Sequence, residues 1–300
     1  MRFLHRTHGT HIARLPRCLY NQAAIALERD PVASIFLRAA LEERNPFRGA
    51  HFLMLRNDAR VPDSLCWHGA NIAPWGFDSH GLDQLARYLG KESIFANSIV
   101  GPADQVMGLW ERIQWRFPSP RDVRAHQLSM VAQACDARKS ATASASSQYE
   151  MNITNVTVRR AAVTDFDIVF PASVAMFIEE VGYDPSIAGE AYAQRVRQLL
   201  AQGRTFICEG RDPYGARRVE FKADVGILAG SVAQLQGVWT SPDLRGNGIA
   251  TAALAQVVRM INADMAKTIS LYVNDYNHGA IHVYEKVGFT TVGEFATVML

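Results

Sequence analysis

Apolar and polar positions follow two regular spacings along this chain. In residues 156–160, 205–209, 219–228, 232–240, 268–273 and 289–299 the apolar residues cluster and alternate as they do in strands. In 165–180, 192–201, 249–263 and 279–287 they recur every three or four positions. Ile168, Ala172, Ala175 and Met176 then share one helical face, and Leu254, Val257, Val258 and Ile261 share another. The spacing predicts the order β-α-α-β-β-β-α-β-α-β for the second half. Upstream the pattern is less regular. Residues 21–28, 32–43, 82–89 and 105–113 have helical spacing, with Asp30-Pro31 as a cap and first-turn pair, and 51–56 and 65–72 read as strands. Residues 138–149, whose stretch 140–147 is built only of Ala, Ser and Thr, offer little to bury and read as a linker, or as the frayed end of a helix running through 123–137. The fold class is α/β in the broad α+β sense. An N-terminal α/β domain at 1–137, a linker at 138–152 and a C-terminal domain at 153–300 are expected.

Composition narrows the class. The chain has 300 residues, 48% of them hydrophobic, with 31 Lys and Arg against 29 Asp and Glu. That is enough apolar material for two cores and excludes a disordered chain. The near-balance of charge argues against a nucleic-acid partner, since neutralising phosphates needs a basic excess. No stretch approaches the ~20 apolar residues of a membrane span, and Arg6, Arg14 and Arg17 interrupt any secretory apolar run, so no membrane partner is expected. Cys18, Cys66, Cys135 and Cys208 are far apart and form no C-x-x-C. They read as reduced thiols of a cytoplasmic protein. His5, His8 and His11 are spaced by three, but Gly9 weakens a helix there and no fourth ligand follows. They read as part of a tail, and no metal is expected.

The informative stretch is Gly237-Val238-Trp239-Thr240-Ser241-Pro242-Asp243-Leu244-Arg245-Gly246-Asn247-Gly248-Ile249-Ala250. A strand ends near Thr240, a glycine loop follows, and a helix starts. Free N–H groups at such a helix start converge on one locus, where the helix dipole favours an anion such as a pyrophosphate. Residue 251 is Thr, so this is no Rossmann fingerprint, and no Gly-Lys-Ser/Thr follows, so it is no P-loop. A second stretch carries Ala280 and Tyr284 on a helix, with Asn277 either at its first position or as its N-cap, then Gly288-Phe289.

Together these stretches resemble the GNAT superfamily of acyl-CoA-dependent N-acyltransferases. Its R/Q-x-x-G-x-G/A motif is matched by Arg245, Gly248 and Ala250, and its N-x-x-A-x-x-x-Y…G-F pattern by Asn277, Ala280, Tyr284, Gly288 and Phe289. The resemblance covers residues 155–300. Residues 177–183, 236–239 and 270–277, with 65–74 upstream, are similar to an actinobacterial two-domain GNAT subfamily with an uncharacterised N-terminal domain. The resemblance implies a mixed, mostly antiparallel sheet in the C-terminal domain; for the N-terminal domain, a degenerate GNAT-like fold is one alternative. Lacking the Arg-x-x-Gly-x-Gly/Ala loop, the N-terminal domain is not expected to bind CoA, and a role walling the acceptor cleft is the expectation.

The resemblance also implies a chemistry. Acetyl-CoA is the co-substrate, with its pyrophosphate on the N–H groups of Arg245, Gly246, Asn247, Gly248, Ile249, Ala250 and Thr251. Its pantetheine runs beside Val238, Trp239 and Thr240, and Asn277 and Tyr284 make further CoA contacts. An amine acceptor, small molecule or protein, attacks the thioester directly, and an N–H near Val238 or Trp239 steadies the oxyanion. Tyr284 is the candidate acid for the leaving thiolate. The base is less defined, because residues 231–240 contain no acid; Gln234 and Gln236 stand there instead. Glu220 and Glu180 are the candidate catalytic carboxylates, with Asp224 and Glu179 as neighbours of the same kind. The alternatives are a mycothiol-synthase-like tandem GNAT enzyme and a noncatalytic acyl-CoA-binding sensor or interaction module. A homodimer is one assembly the reading allows.

Overall fold

The computed structural model describes residues 10–43, 49–56, 62–133, 156–187 and 189–300. The expected linker, His5, His8 and Cys135 lie outside the described residues. In chain order the elements are β1 (His11–Arg14), α1 (Tyr20–Leu27), α2 (Ile35–Glu42), β2 (His51–Arg56), β3 (Leu65–His68), β4 (Asn71–Trp75), α3 (Ser79–Leu89), β5 (Ser98–Pro102), α4 (Ala103–Ile113) and β6 (Asp122–Gln133). They continue as β7 (Val158–Arg160), α5 (Phe166–Val181), α6 (Ala191–Ala201), β8 (Thr205–Arg211), β9 (Arg217–Ala229), β10 (Val232–Thr240), α7 (Ile249–Asp264), β11 (Thr268–Asn274), α8 (His278–Val287) and β12 (Thr290–Met299). The second series has the predicted order, and the first series repeats it element for element. The chain is therefore an internal duplication of one β-αα-βββ-α-β-α-β plan.

Contacts divide the chain into two compact units. One comprises Met1–Met130, Tyr272–Asn277 and Thr291–Leu300; the other comprises Val131–Leu271 and His278–Thr290. In the first unit the strand order is β1-β2-β3-β4-β5-β12-β6. The pairings β1/β2, β2/β3, β3/β4 and β12/β5 are antiparallel, and β4/β5 is parallel. The strand beside β5 is thus the last one of the whole chain, in register Phe295↔Pro102 to Met299↔Ser98. Ala296 and Val298 are fully buried there with Ile99, Val106 and Leu109.

The expected helix through 123–137 is corrected to the strand β6, whose described part ends at Gln133. Its polar residues had obscured the alternation. Gln127 is buried because its amide donates to Asn274 Oδ1 (2.9 Å) and accepts from Thr297 Oγ1 (2.7 Å), so a polar side chain stands where an apolar one would have marked the inner face. The expected strand at 65–72 is also two strands, β3 and β4, broken at Gly69-Ala70.

In the second unit the order is β11-β10-β9-β8-β7. The pairings are antiparallel except for the parallel β10/β11. α5 and α6 cover one sheet face with Val169, Ala172, Val196 and Leu200 against Ile207. α7 packs on β9 and β10, and its Leu254, Val257 and Ile261 are fully buried. Burying each such side chain stabilises by about 1.5–3 kcal/mol. This packing fixes where α7 starts, and that point is the site.

Candidate active site

Two departures from ladder regularity shape β10. Its parallel pairing with β11 runs from Val232↔Thr268 to Gln234↔Ser270, while β10 itself continues to Thr240. Against β9 its register shifts between Gln236↔Asp224 and Trp239↔Lys222. Three steps on β10 there match two on β9, so Gly237-Val238 is a β-bulge. Gly237 has φ +56, and a Cβ at that position would sit 2.9 Å from Met176 Cε and 3.1 Å from Lys222 Nζ. The positive φ favours glycine there, and a larger side chain would also have to displace the tips of Met176 and Lys222. The bulge and the short ladder leave this end of β10 with backbone groups that β11 does not pair.

The loop after β10 is held from three sides. Ser241 N–H donates to Glu220 C=O (2.9 Å), and Ser241 Oγ donates to Asp243 Oδ1 (2.5 Å). Arg218 clamps the other oxygen of Asp243 (2.7 Å). Arg245 spans the loop: its Nε donates to Thr240 C=O (3.0 Å) and its Nη2 to Glu179 Oε2 (2.6 Å), while Glu179 Oε1 accepts from Trp239 Nε1 (3.1 Å). The Arg245 side chain is thus used to brace the turn. Gly248, at φ +77, is the N-cap of α7; it has no side chain to cap with, and the first turn carries no acid. Ala252 N–H reaches back to Gly248 C=O (3.1 Å), so the N–H groups of Ile249, Ala250 and Thr251 have no intrahelical acceptor. The equivalent helix of the first repeat differs. There Asp78 caps α3, its carboxylate accepting from Gly81 N–H at 2.7 Å.

The predicted residues sort into two groups. Val238, Trp239, Thr240, Arg245, Gly246, Asn247, Gly248, Ile249, Ala250 and Thr251 form one continuous bulge, loop and helix start. Tyr284 is buried in α8 against Phe289, with ring centroids 5.9 Å apart. Burial, then the charge of Glu180, pushes its hydroxyl pKa well up, so the phenol is protonated at neutral pH. Glu180, at the exposed end of α5, acts electrostatically on both Tyr284 and Tyr192. Asn277 falls in the other unit, and its N–H donates to Asn274 C=O (2.9 Å). Glu220 stands at the β8/β9 irregularity, its carboxylate 4.0 Å from Cys208 Sγ and packed over Gly210. His278 and His282 are exposed on α8.

Sequence reasoning named Asp224 among the substitute carboxylates but did not single out its partner, Lys222. Lys222 is 0% exposed and Asp224 8%. Lys222 Nζ donates to Asp224 Oδ2 (2.6 Å) and to Gly237 C=O (3.2 Å), fixing the bulge from beneath. The signal was present in Phe221-Lys222-Ala223-Asp224-Val225, where charges alternate with apolar residues in a strand. That pattern normally marks a solvated face, and here α5 covers it.

Comparison with known proteins agrees with this geometry. Residues 175–289 match the Acetyltransferase (GNAT) family, and residues 53–168 match a domain of unknown function, DUF4081. An uncharacterized N-acetyltransferase of Methanocaldococcus jannaschii is 29% identical over 85 residues, which are 28% of this chain and 38% of that protein. The chain thus spans well under half of that relative. Among solved structures, a GNAT-family acetyltransferase from Colwellia psychrerythraea superposes with a TM-score of 0.53 at 10% identity, covering 96% of this chain and 99% of that one. A Drosophila protein reaches 0.62 at 11% identity, covering 97% and 99%. At such identities the likeness is one of fold, and it runs the length of the chain. This protein has the GNAT fold, with a segment matching DUF4081 ahead of a segment matching the GNAT acetyltransferase family.

Proposed function

We propose that the chain is an acetyl-CoA-dependent N-acetyltransferase that moves an acetyl group to an amine by direct attack on the thioester. The carrying observation is the start of α7. Three orphan N–H groups, a side-chain-free cap and no acid in the first turn suit a diphosphate. The bulged, unpaired end of β10 gives the pantetheine amides a ladder to join and leaves an N–H near Val238 to steady the oxyanion. Holding thioester and amine together supplies much of the acceleration. Tyr284, kept protonated by burial, donates to the departing thiolate. Cytoplasmic location fits the free Cys18, Cys66 and Cys208, and no helix among the described residues is long and apolar enough to cross a membrane.

A synthase acylating an amino-sugar thiol precursor is a second reading, supported by the duplicated fold. Thiol release from acetyl-CoA, followed with a panel of small amines, peptide amines and amino sugars, tests both. Release dependent on an amine supports transfer, and the amine that drives it chooses between the readings. Tight CoA binding with no release under any amine would favour the sensor alternative.

A further inference from the structure

Beneath the β10 bulge lies a carboxylate with one hand free. Asp224 is 8% exposed; its Oδ2 is taken by Lys222, while its Oδ1 is buried with no hydrogen-bond partner. The neighbouring donors are committed elsewhere. Gln236, opposite Asp224 in the ladder, gives its amide to Gln234 Oε1 (3.2 Å). The Tyr192 hydroxyl donates to Ser173 C=O (2.9 Å), and Arg195 Nη2 donates to Gly226 C=O (2.7 Å). Leaving a buried acceptor unmet costs about 1–3 kcal/mol, and more for a charged one, so such a group calls for an explanation. A donor that arrives with a ligand supplies one.

The surroundings define the donor. Phe177 meets Tyr192 edge-on at 5.1 Å and Tyr183 at 5.2 Å, and Met176 closes over Gly237. Tyr183 is 40% exposed and Glu180 is exposed, both at the end of α5. Asp224 and Glu180 both act electrostatically on Tyr192. Aromatic rings and an unbranched Met, which shifts easily, suit an alkyl stem bearing a cation. Resting on the acetyltransferase reading above, we propose that Asp224 Oδ1 anchors the acceptor's amino group and that the acceptor class is a primary alkylammonium. Lys222 holds the carboxylate and the Gly237 carbonyl together, so the anchored nitrogen lies at the strand that positions the thioester.

The test uses the full chain with CoA present, n-butylammonium as probe and n-butanol as its neutral isostere. Binding is read by saturation-transfer NMR and CoA affinity by calorimetry. Asp224→Asn and the double variant Lys222→Met/Asp224→Asn are compared; the double variant removes both charges, so no lone lysine stays buried. The expected result is butylammonium binding to wild type, at least about tenfold weaker binding of butanol, and a loss of about tenfold or more in both variants, each read at a CoA concentration that calorimetry shows to be saturating for that variant. Equal butylammonium binding by wild type and the folded double variant, no butylammonium binding by wild type, or equal binding of butanol would overturn the anchor. Absent CoA binding by wild type would instead refute the acetyltransferase reading, and the amine readout would still decide the anchor.

Discussion

A single position separates the two repeats chemically. Where α3 begins, Asp78 supplies its own anion to the helix N-terminus; where α7 begins, Gly248 supplies none. The first helix start is satisfied from within, and the second has no side-chain cap and no acid in its first turn. Gly248→Asp places a carboxylate where the diphosphate is proposed to sit, at a φ of +77 that strains most side chains. CoA affinity measured by calorimetry is expected to fall about a hundredfold or more. Tyr284→Phe removes only a hydroxyl. Turnover is expected to fall by about a hundredfold, with acetyl-CoA affinity little changed in the same titration. Unchanged turnover would make Tyr284 a packing residue.

Elements of the second repeat were legible because their inner faces are apolar, so period and burial coincide, as in Leu254, Val257 and Ile261 of α7. The glycine loop and helix start were legible because Gly248 and its neighbours carry the backbone constraint locally. Hidden features depended on distant partners. β6 buries Gln127 in a polar network with Asn274 and Thr297, β1 and β5 are too short to show a period, and Lys222-Asp224 resembles a solvated face until α5 covers it. An ionic network at the head of α5 shows the same dependence on tertiary partners. Asp165 accepts from Arg159 (2.7 and 2.8 Å), from Ala162 N–H (2.8 Å) and from Arg217 (3.2 Å). Arg159 foremost holds its carboxyl well below the usual range, and Arg217, then Arg159, push Glu209 down to about 2. Depressed carboxylate pKa values stabilise the fold above the unfolded pKa near 4, and that contribution is lost as pH falls toward 2. The half-exposed Arg217 is screened by solvent, so the effect centres on buried Asp165. Denaturation midpoints should therefore drop from about pH 5 to pH 2, and Asp165→Asn should be less stable at pH 7 with a flatter profile. An unaltered profile would show that the network contributes nothing.

At the scale of the molecule, one plan occurs twice, and only the second copy retains an uncapped helix start beside a bulged strand. The copies are also interlaced in sequence, since β12 completes the sheet of the first unit beside β5. Phe295, Ala296 and Val298 are buried there. Truncation before Thr290 strips that sheet of a strand and should make residues 65–113 exchange amide hydrogens faster and digest sooner; unchanged protection would show β12 to be dispensable. For the same reason residues 153–300 alone would carry β12 without its β5 partner. The central claim is that the main chain from β10 into α7 grips the diphosphate of CoA. Residue-resolved amide exchange with and without CoA tests it most directly. The account predicts ligand-dependent protection at residues 246–251 and along 237–240, with none at 78–82 where α3 begins. Protection at α3, or no change at the start of α7 under saturating CoA, would contradict it.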